Sequence, residues 1–220
     1  NPALLDQIGT ENHRKIAKQA VRESLVLMKN NEETLPIAKN TNKIVVVGEH
    51  ANSSGLQSGG WTIHWQGSEK NYKGAKTILE GIQHLAEGKV VYDKDATGEH
   101  YDADVAIVVV GEKPYAEFFG DIGHESNTLT LDLTKKHKKY IETYKKNGVT
   151  VVTILISGRP MVVTKQIKAS DAFIAAWLIG SEGDAVADVL FGDYNFKGRL
   201  PHSWPASKED FVGKYGPNFW

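Results

Sequence analysis

Small and apolar positions recur along this chain with two alternating periods. Between residues 11 and 30, Ile16, Ala17, Ala20, Val21, Ser24, Leu25 and Met28 fall on one face at helical spacing, with Thr10 placed to cap the start. KIVVVG (43–48) then reads as a strand, GAKTILEGIQHLA (74–86) as a helix and KVVY (89–92) as a short strand. DVAIVVVG (104–111) is a continuous apolar run of the kind a buried parallel strand needs. A polar helix over about 132–147 ends at Asn147-Gly148, a pair suited to a C-cap. VTVVTILI (149–156) is a strand, 161–169 a helix, DAFIAAW (171–177) a strand and EGDAVADVLFG (182–192) a helix. Strands alternating with helices at this spacing predict βαβ units. The fold class expected is α/β: a mostly parallel sheet of about five or six strands with helices on both faces, a three-layer sandwich.

The 220 residues carry a formal charge of -1, which gives no long-range attraction for nucleic acid or an anionic membrane. The lysine run from Lys135 to Lys146 reads as a solvated helix face. With no cysteine there is neither a disulfide framework nor a thiol nucleophile. Gly48 is not followed by the glycines of a dinucleotide or phosphate loop, and no nucleophile elbow surrounds Ser157 or Ser181. The eight histidines are scattered without a paired metal motif, so neither a metal nor a cofactor is expected.

Two loops hold the remaining chemistry. SGGWTIHWQG (58–67) follows the first core strand and sets Trp61 and Trp65 four apart among glycines. GEKPYAEFFGD (111–121) follows a later core strand and concentrates Glu112, Glu117 and Asp121 beside aromatic rings. Loops at the carboxyl ends of parallel strands share one edge of the sheet. Indole rings stack on the C–H faces of sugars, and Gln57, Gln66 and the carboxylates suit sugar hydroxyls. Glycoside hydrolysis requires a protonated carboxylic acid beside the leaving oxygen, and a glutamate desolvated by Tyr115, Phe118 and Phe119 would favour that form. Glu112 and Glu117 both qualify on chemistry alone. The plain alternatives are core tryptophans and solvated or helix-capping loop acids.

VRESLVLMKN, GLQSGGWTIHWQG, TILEGI, DVAIVVVGEKPYAEFFGD, ILISGRPMVV and AAWLIGSEGDAVADVLFGDYNFKGRLPHSWP occur in colinear order. Together they resemble the C-terminal α/β-sandwich domain of glycoside hydrolase family 3, the β-glucosidases and β-D-glucan exohydrolases. The resemblance implies a retaining active site shared with an N-terminal (β/α)8 barrel that supplies the nucleophile. It implies Glu117 as general acid/base and Trp65 as the acceptor-stacking ring, with Trp61 beside it in the substrate-binding loop. Glu112 becomes a loop-ordering residue bonding nearby backbone amides, Arg159 a tie between loops, and Glu182 a cap for the helix after it. Residues 1–12 then correspond to the linker from the barrel, 13–205 to the domain, and 206–220 to a surface-wrapping tail. The implied function is one half of an exo-acting β-glucosidase that removes glucose from β-glucan or β-glucoside ends, periplasmic or extracellular, and inactive without the barrel. A stand-alone carbohydrate-binding or interaction module of the same fold is the alternative.

Overall fold

The structure, a computed structural model, describes residues 2–123, 125 and 129–210. The Val/Ile-rich runs form the strands β2 (Lys43–Val47), β3 (Lys89–Asp93), β4 (Val105–Gly111), β5 (Thr150–Ile156) and β6 (Ala172–Trp177). A further strand, β1 (Val26–Asn30), precedes them. The sheet order is β1-β6-β5-β4-β2-β3, parallel throughout except for β1, which runs antiparallel along β6 at one edge. Side chains alternate across this sheet, and both faces are covered. Ile44, Val46, Ile107 and Val109 meet α1 (Glu11–Ser24), α3 (Ile78–Leu85) and α6 (Ala185–Leu190) on one side. Val45, Val47, Val108 and Val110 meet α4 (Lys135–Lys146) and the segment before α5 (Thr164–Ala169) on the other. Each fully buried Val or Ile contributes about 1.5–3 kcal/mol of transfer free energy, so the central strands hold the sandwich together. A short helix, α2 (Ser54–Ser58), lies in the loop after β2.

The expected helix over 11–30 is two elements. α1 ends at Ser24, whose hydroxyl donates back to the Val21 carbonyl, and Leu25 turns the backbone extended. Val26 and Leu27 then pair with Ala175 and Ile174. Leu25 and Met28 continue the helical spacing by coincidence, and β6's free edge overrides the pattern. Thr10 occupies the N-cap of α1 but makes no side-chain cap bond. The expected stop at Asn147-Gly148 forms, with Gly148 at a positive φ after α4. Thr77 and Glu80 form a reciprocal capping box at α3. Glu182 does not cap α6; its buried carboxylate pairs with Arg14 of α1. Lys18–Asp184 and Arg22–Asp188 continue that line of ion pairs along the α1–α6 seam. The chain from Asp193 covers the edge, where the Trp204 indole donates to the Met161 carbonyl. Of the expected tail, residues 211–220 lie outside the described residues.

Candidate active site

The chain leaves β2 for β3 on one side and returns past β2 to β4 on the other. Loops after β2 and β4 therefore diverge at a topological switch point, where open α/β sheets bind ligands. Both aromatic loops emerge here, and backbone contact joins them. A Cβ at Gly60 would sit 2.1 Å from the Tyr115 carbonyl oxygen, and one at Gly67 would sit 2.6 Å from the Pro114 ring. Only glycine permits that approach. Gln66 completes the join: Ala116 N–H donates to its Oε1 at 3.0 Å, and its Nε2 donates to the Ala116 carbonyl at 3.3 Å.

Glu117 follows directly, opening a 3-10 turn over Glu117–Gly120 with φ of 53°. A left-handed conformation at a non-glycine residue costs about 1–2 kcal/mol, and the Gln66 clasp offsets it from one side. The Glu117 carboxylate is exposed and has no hydrogen-bond partner among the described residues. The desolvation expected from Phe118 is therefore not present in this chain. Phe118 and Phe119 turn instead to the Trp65 ring, at centroid distances of 6.2 and 5.6 Å.

Trp61 and Trp65 stand on one turn, with Trp61 N–H donating to the Trp65 carbonyl and the rings 6.4 Å apart. Trp61 is 69% exposed and Trp65 43%, so neither is a core ring. Gln57 differs from expectation. It is buried, accepting from Ile78 N–H and donating to the Lys76 carbonyl, and is not presented to a ligand.

Glu112 has an inner position. Arg159 Nε donates to its Oε1 at 2.9 Å and the Tyr115 hydroxyl to its Oε2 at 3.2 Å. Its partners are thus side chains, where neighbouring backbone amides were expected. Arg159 also donates to the Gly120 carbonyl and lies 4.4 Å from the Tyr115 ring centroid, tying the loop after β5 to the loop after β4. Burial, with the Glu112 carboxylate beside it, raises the Tyr115 phenol above its ordinary value, so it stays a donor. The two glutamates that chemistry left open are therefore distinct: Glu112 is consumed internally and Glu117 is presented outward.

Sequence reasoning missed two arrangements. The Gln66 clasp carries no sequence signal beyond its place after Trp65. Glu49 and His50 at the end of β2 meet His137 of α4, residues too far apart in the chain for a spacing motif.

The chain is thus a doubly wound α/β domain with exposed indoles and an outward carboxylate at its switch point. Residues 25–219 match the glycosyl hydrolase family 3 C-terminal domain, and the chain belongs to that family. It is 32% identical to the periplasmic β-glucosidase of Salmonella typhimurium, over 89% of this chain and 29% of that protein. The lysosomal β-glucosidase of Dictyostelium discoideum is 29% identical over 99% of this chain and 29% of its own length. Among solved structures, the exo-1,3/1,4-β-glucanase of a Pseudoalteromonas species superposes with a TM-score of 0.81 at 42% identity, covering 90% of this chain and 26% of that one. The Listeria innocua β-glucosidase in complex with glucose gives 0.75 at 29% identity, covering 91% and 28%. The chain thus spans between a quarter and a third of the length of these relatives.

Proposed function

We propose that this chain is the acid/base-bearing half of a retaining, exo-acting β-glucosidase or β-glucan glucohydrolase, working in the periplasm or outside the cell. A (β/α)8 barrel joined through residues 1–12 supplies the nucleophilic carboxylate, and residues 206–220 wrap the surface. The Glu117 carboxylic acid gives its proton to the glycosidic oxygen as the nucleophile takes the anomeric carbon and the aglycone leaves. The resulting Glu117 carboxylate then takes a proton from the water that attacks the same carbon, and glucose departs with retained configuration. Trp65 stacks on the acceptor sugar, with Trp61 beside it.

The observation that carries this reading is the Glu117 carboxylate, without a hydrogen-bond partner among the described residues and held on a strained backbone one residue beyond the Gln66 clasp, next to the two phenylalanines that pack on Trp65. In the barrel-containing protein, Glu117→Ala should cost orders of magnitude on glucosides with poor leaving groups. An activated aryl glucoside should still form the glycosyl-enzyme, and azide should speed the slowed second step. Glu112→Ala should show neither signature. The 220-residue chain alone should release no p-nitrophenol from its β-glucoside. Turnover by that chain, lost in Glu117→Gln, would refute the shared-site account. Trp61 exposure also fits a carbohydrate-binding module; sugar binding with no Glu117-dependent turnover beside a barrel would select that second reading.

A further inference from the structure

Behind the sugar-facing loops, the carboxyl end of β2 meets the first turn of α4. Glu49 and His50 follow Gly48, and His137 comes from α4. One ligand atom from each residue lies within 4.8 Å of the others. His50 is 1% exposed and His137 4%, whereas the Glu49 side chain keeps 24% exposure and gives the cluster a path to solvent.

Proton positions follow from the partners. His50 Nε2 faces the Glu112 carbonyl oxygen at 3.0 Å. A carbonyl only accepts, so Nε2 carries the proton and Nδ1 holds a bare lone pair. Among the described residues that Nδ1 is buried without a partner, as is the Nδ1 of His137. A histidine whose outer N–H is fixed by a backbone carbonyl has the tautomer of a metal ligand. His137 Nε2 lies 3.1 Å from Glu49 Oε1. Adjacent ligands at ~2.0–2.2 Å around a tetrahedral ion stand about 3.3–3.6 Å apart, so this edge needs to open by only a few tenths of an ångström.

The surrounding charges leave room for a cation. Tyr140 donates to Glu49 Oε2 at 3.3 Å, and the half-exposed Lys136 ammonium stands 3.5 Å from that same oxygen. Lys136 is closer to Asp95, at 2.9 Å. Oε1, turned to His137, is the oxygen left for coordination.

We propose that Glu49, His50 and His137 form a binding site for a divalent cation of the zinc class, with a further position open to water. Two imidazoles and one carboxylate suit Zn2+, Co2+ or Ni2+, whereas Ca2+ and Mg2+ prefer oxygen alone. The ion would pin α4 to the end of β2, and through the His50–Glu112 bond to the base of the loop that carries Glu117. This site stands whether or not the glycosidase reading does.

The test is calorimetric titration of Zn2+ into the chelator-stripped 220-residue chain, beside Glu49→Gln, His137→Gln and a His13→Gln/His64→Gln control of exposed histidines. One equivalent should bind in the wild type and the control. Glu49→Gln should weaken it at least tenfold, and His137→Gln should abolish it. Zn2+ at a hundredfold over its Kd should raise the wild-type Tm by roughly 5–10 °C. Imidazole nitrogen NMR should shift at His50 and His137 in the wild type, a readout independent of how the variants fold. Absence of stoichiometric binding, binding lost in the His13/His64 control, or unmoved His50 and His137 resonances would overturn the proposal in favour of a hydrogen-bonded cluster only.

Discussion

Replacing Gln66 by alanine isolates the contribution of its side-chain clasp. The change removes both hydrogen bonds to Ala116, whose residue is 4% exposed. Each bond is worth about 1 kcal/mol net, and a backbone group left unsatisfied costs about 1–3 kcal/mol. Partial hydration of the half-buried site keeps the total near roughly 2–3 kcal/mol. Almost all of it falls on the 112–120 segment, because both Gln66 side-chain bonds go to Ala116. That is larger than the ~1–2 kcal/mol held in the left-handed Glu117, so the backbone there relaxes and moves the carboxylate. A displacement of ~1 Å in a reacting group costs about a hundredfold in rate. In the barrel-containing protein, kcat/KM on an unactivated β-glucoside should fall about 10- to 100-fold. Glycosylation by a dinitrophenyl glucoside, which needs no proton, should fall much less. Gln66→Glu should fall between wild type and Gln66→Ala, because a carboxylate still accepts from Ala116 N–H but cannot donate to its carbonyl. The assay is a leaving-group series read alongside Tm. Equal losses across the series, tracking Tm, or less than a twofold change where Glu117→Ala costs orders of magnitude, would refute the reasoning.

Arg14→Ala leaves the buried Glu182 carboxylate uncompensated, which costs about 3–5 kcal/mol and should lower Tm by roughly 10 °C; adding Glu182→Gln should recover much of it, as thermal unfolding will show. Gly60→Ala drives a Cβ into the Tyr115 carbonyl, so activity should drop at least tenfold while circular dichroism of the sheet is unchanged. Trp65→Ala should weaken disaccharide binding more than glucose binding with little change in Tm, whereas Trp61→Ala should affect both less; isothermal titration with each sugar checks this.

The parallel strands were legible because a strand buried on both faces must be continuously apolar, and little else in the chain is. β1 was not legible. Its residues continue the spacing of α1, and only β6's edge, remote in sequence, makes them extended. The aromatic loops could be assigned to one edge of the sheet from topology alone, but the order of the strands that makes that edge a switch point is a tertiary fact. Gln57 and Gln66 looked equivalent as amides near tryptophans. One is sealed inside against Ile78 and Lys76, and the other holds Ala116, a distinction set by packing. Glu49, His50 and His137 were invisible for a related reason: a cluster assembled by strand register and helix docking leaves no fixed interval in the sequence.

The ion pairs of Arg14, Lys18 and Arg22 recur every four residues on one face of α1 and grip Glu182, Asp184 and Asp188 in turn. Three teeth meshed along one seam resist sliding and rolling as a single bond would not, so α1 and α6 are held as one stiff pair. Glu182 also bridges to Lys76 through the backbone, just ahead of α3. A displacement at Thr10 is therefore passed along α1 toward Lys76, whose carbonyl accepts from Gln57, itself four residues before Trp61. Salt loosens such a gear by screening its exposed teeth first, so the coupling between α1 and the tryptophan turn should slacken with ionic strength well before the sheet itself weakens.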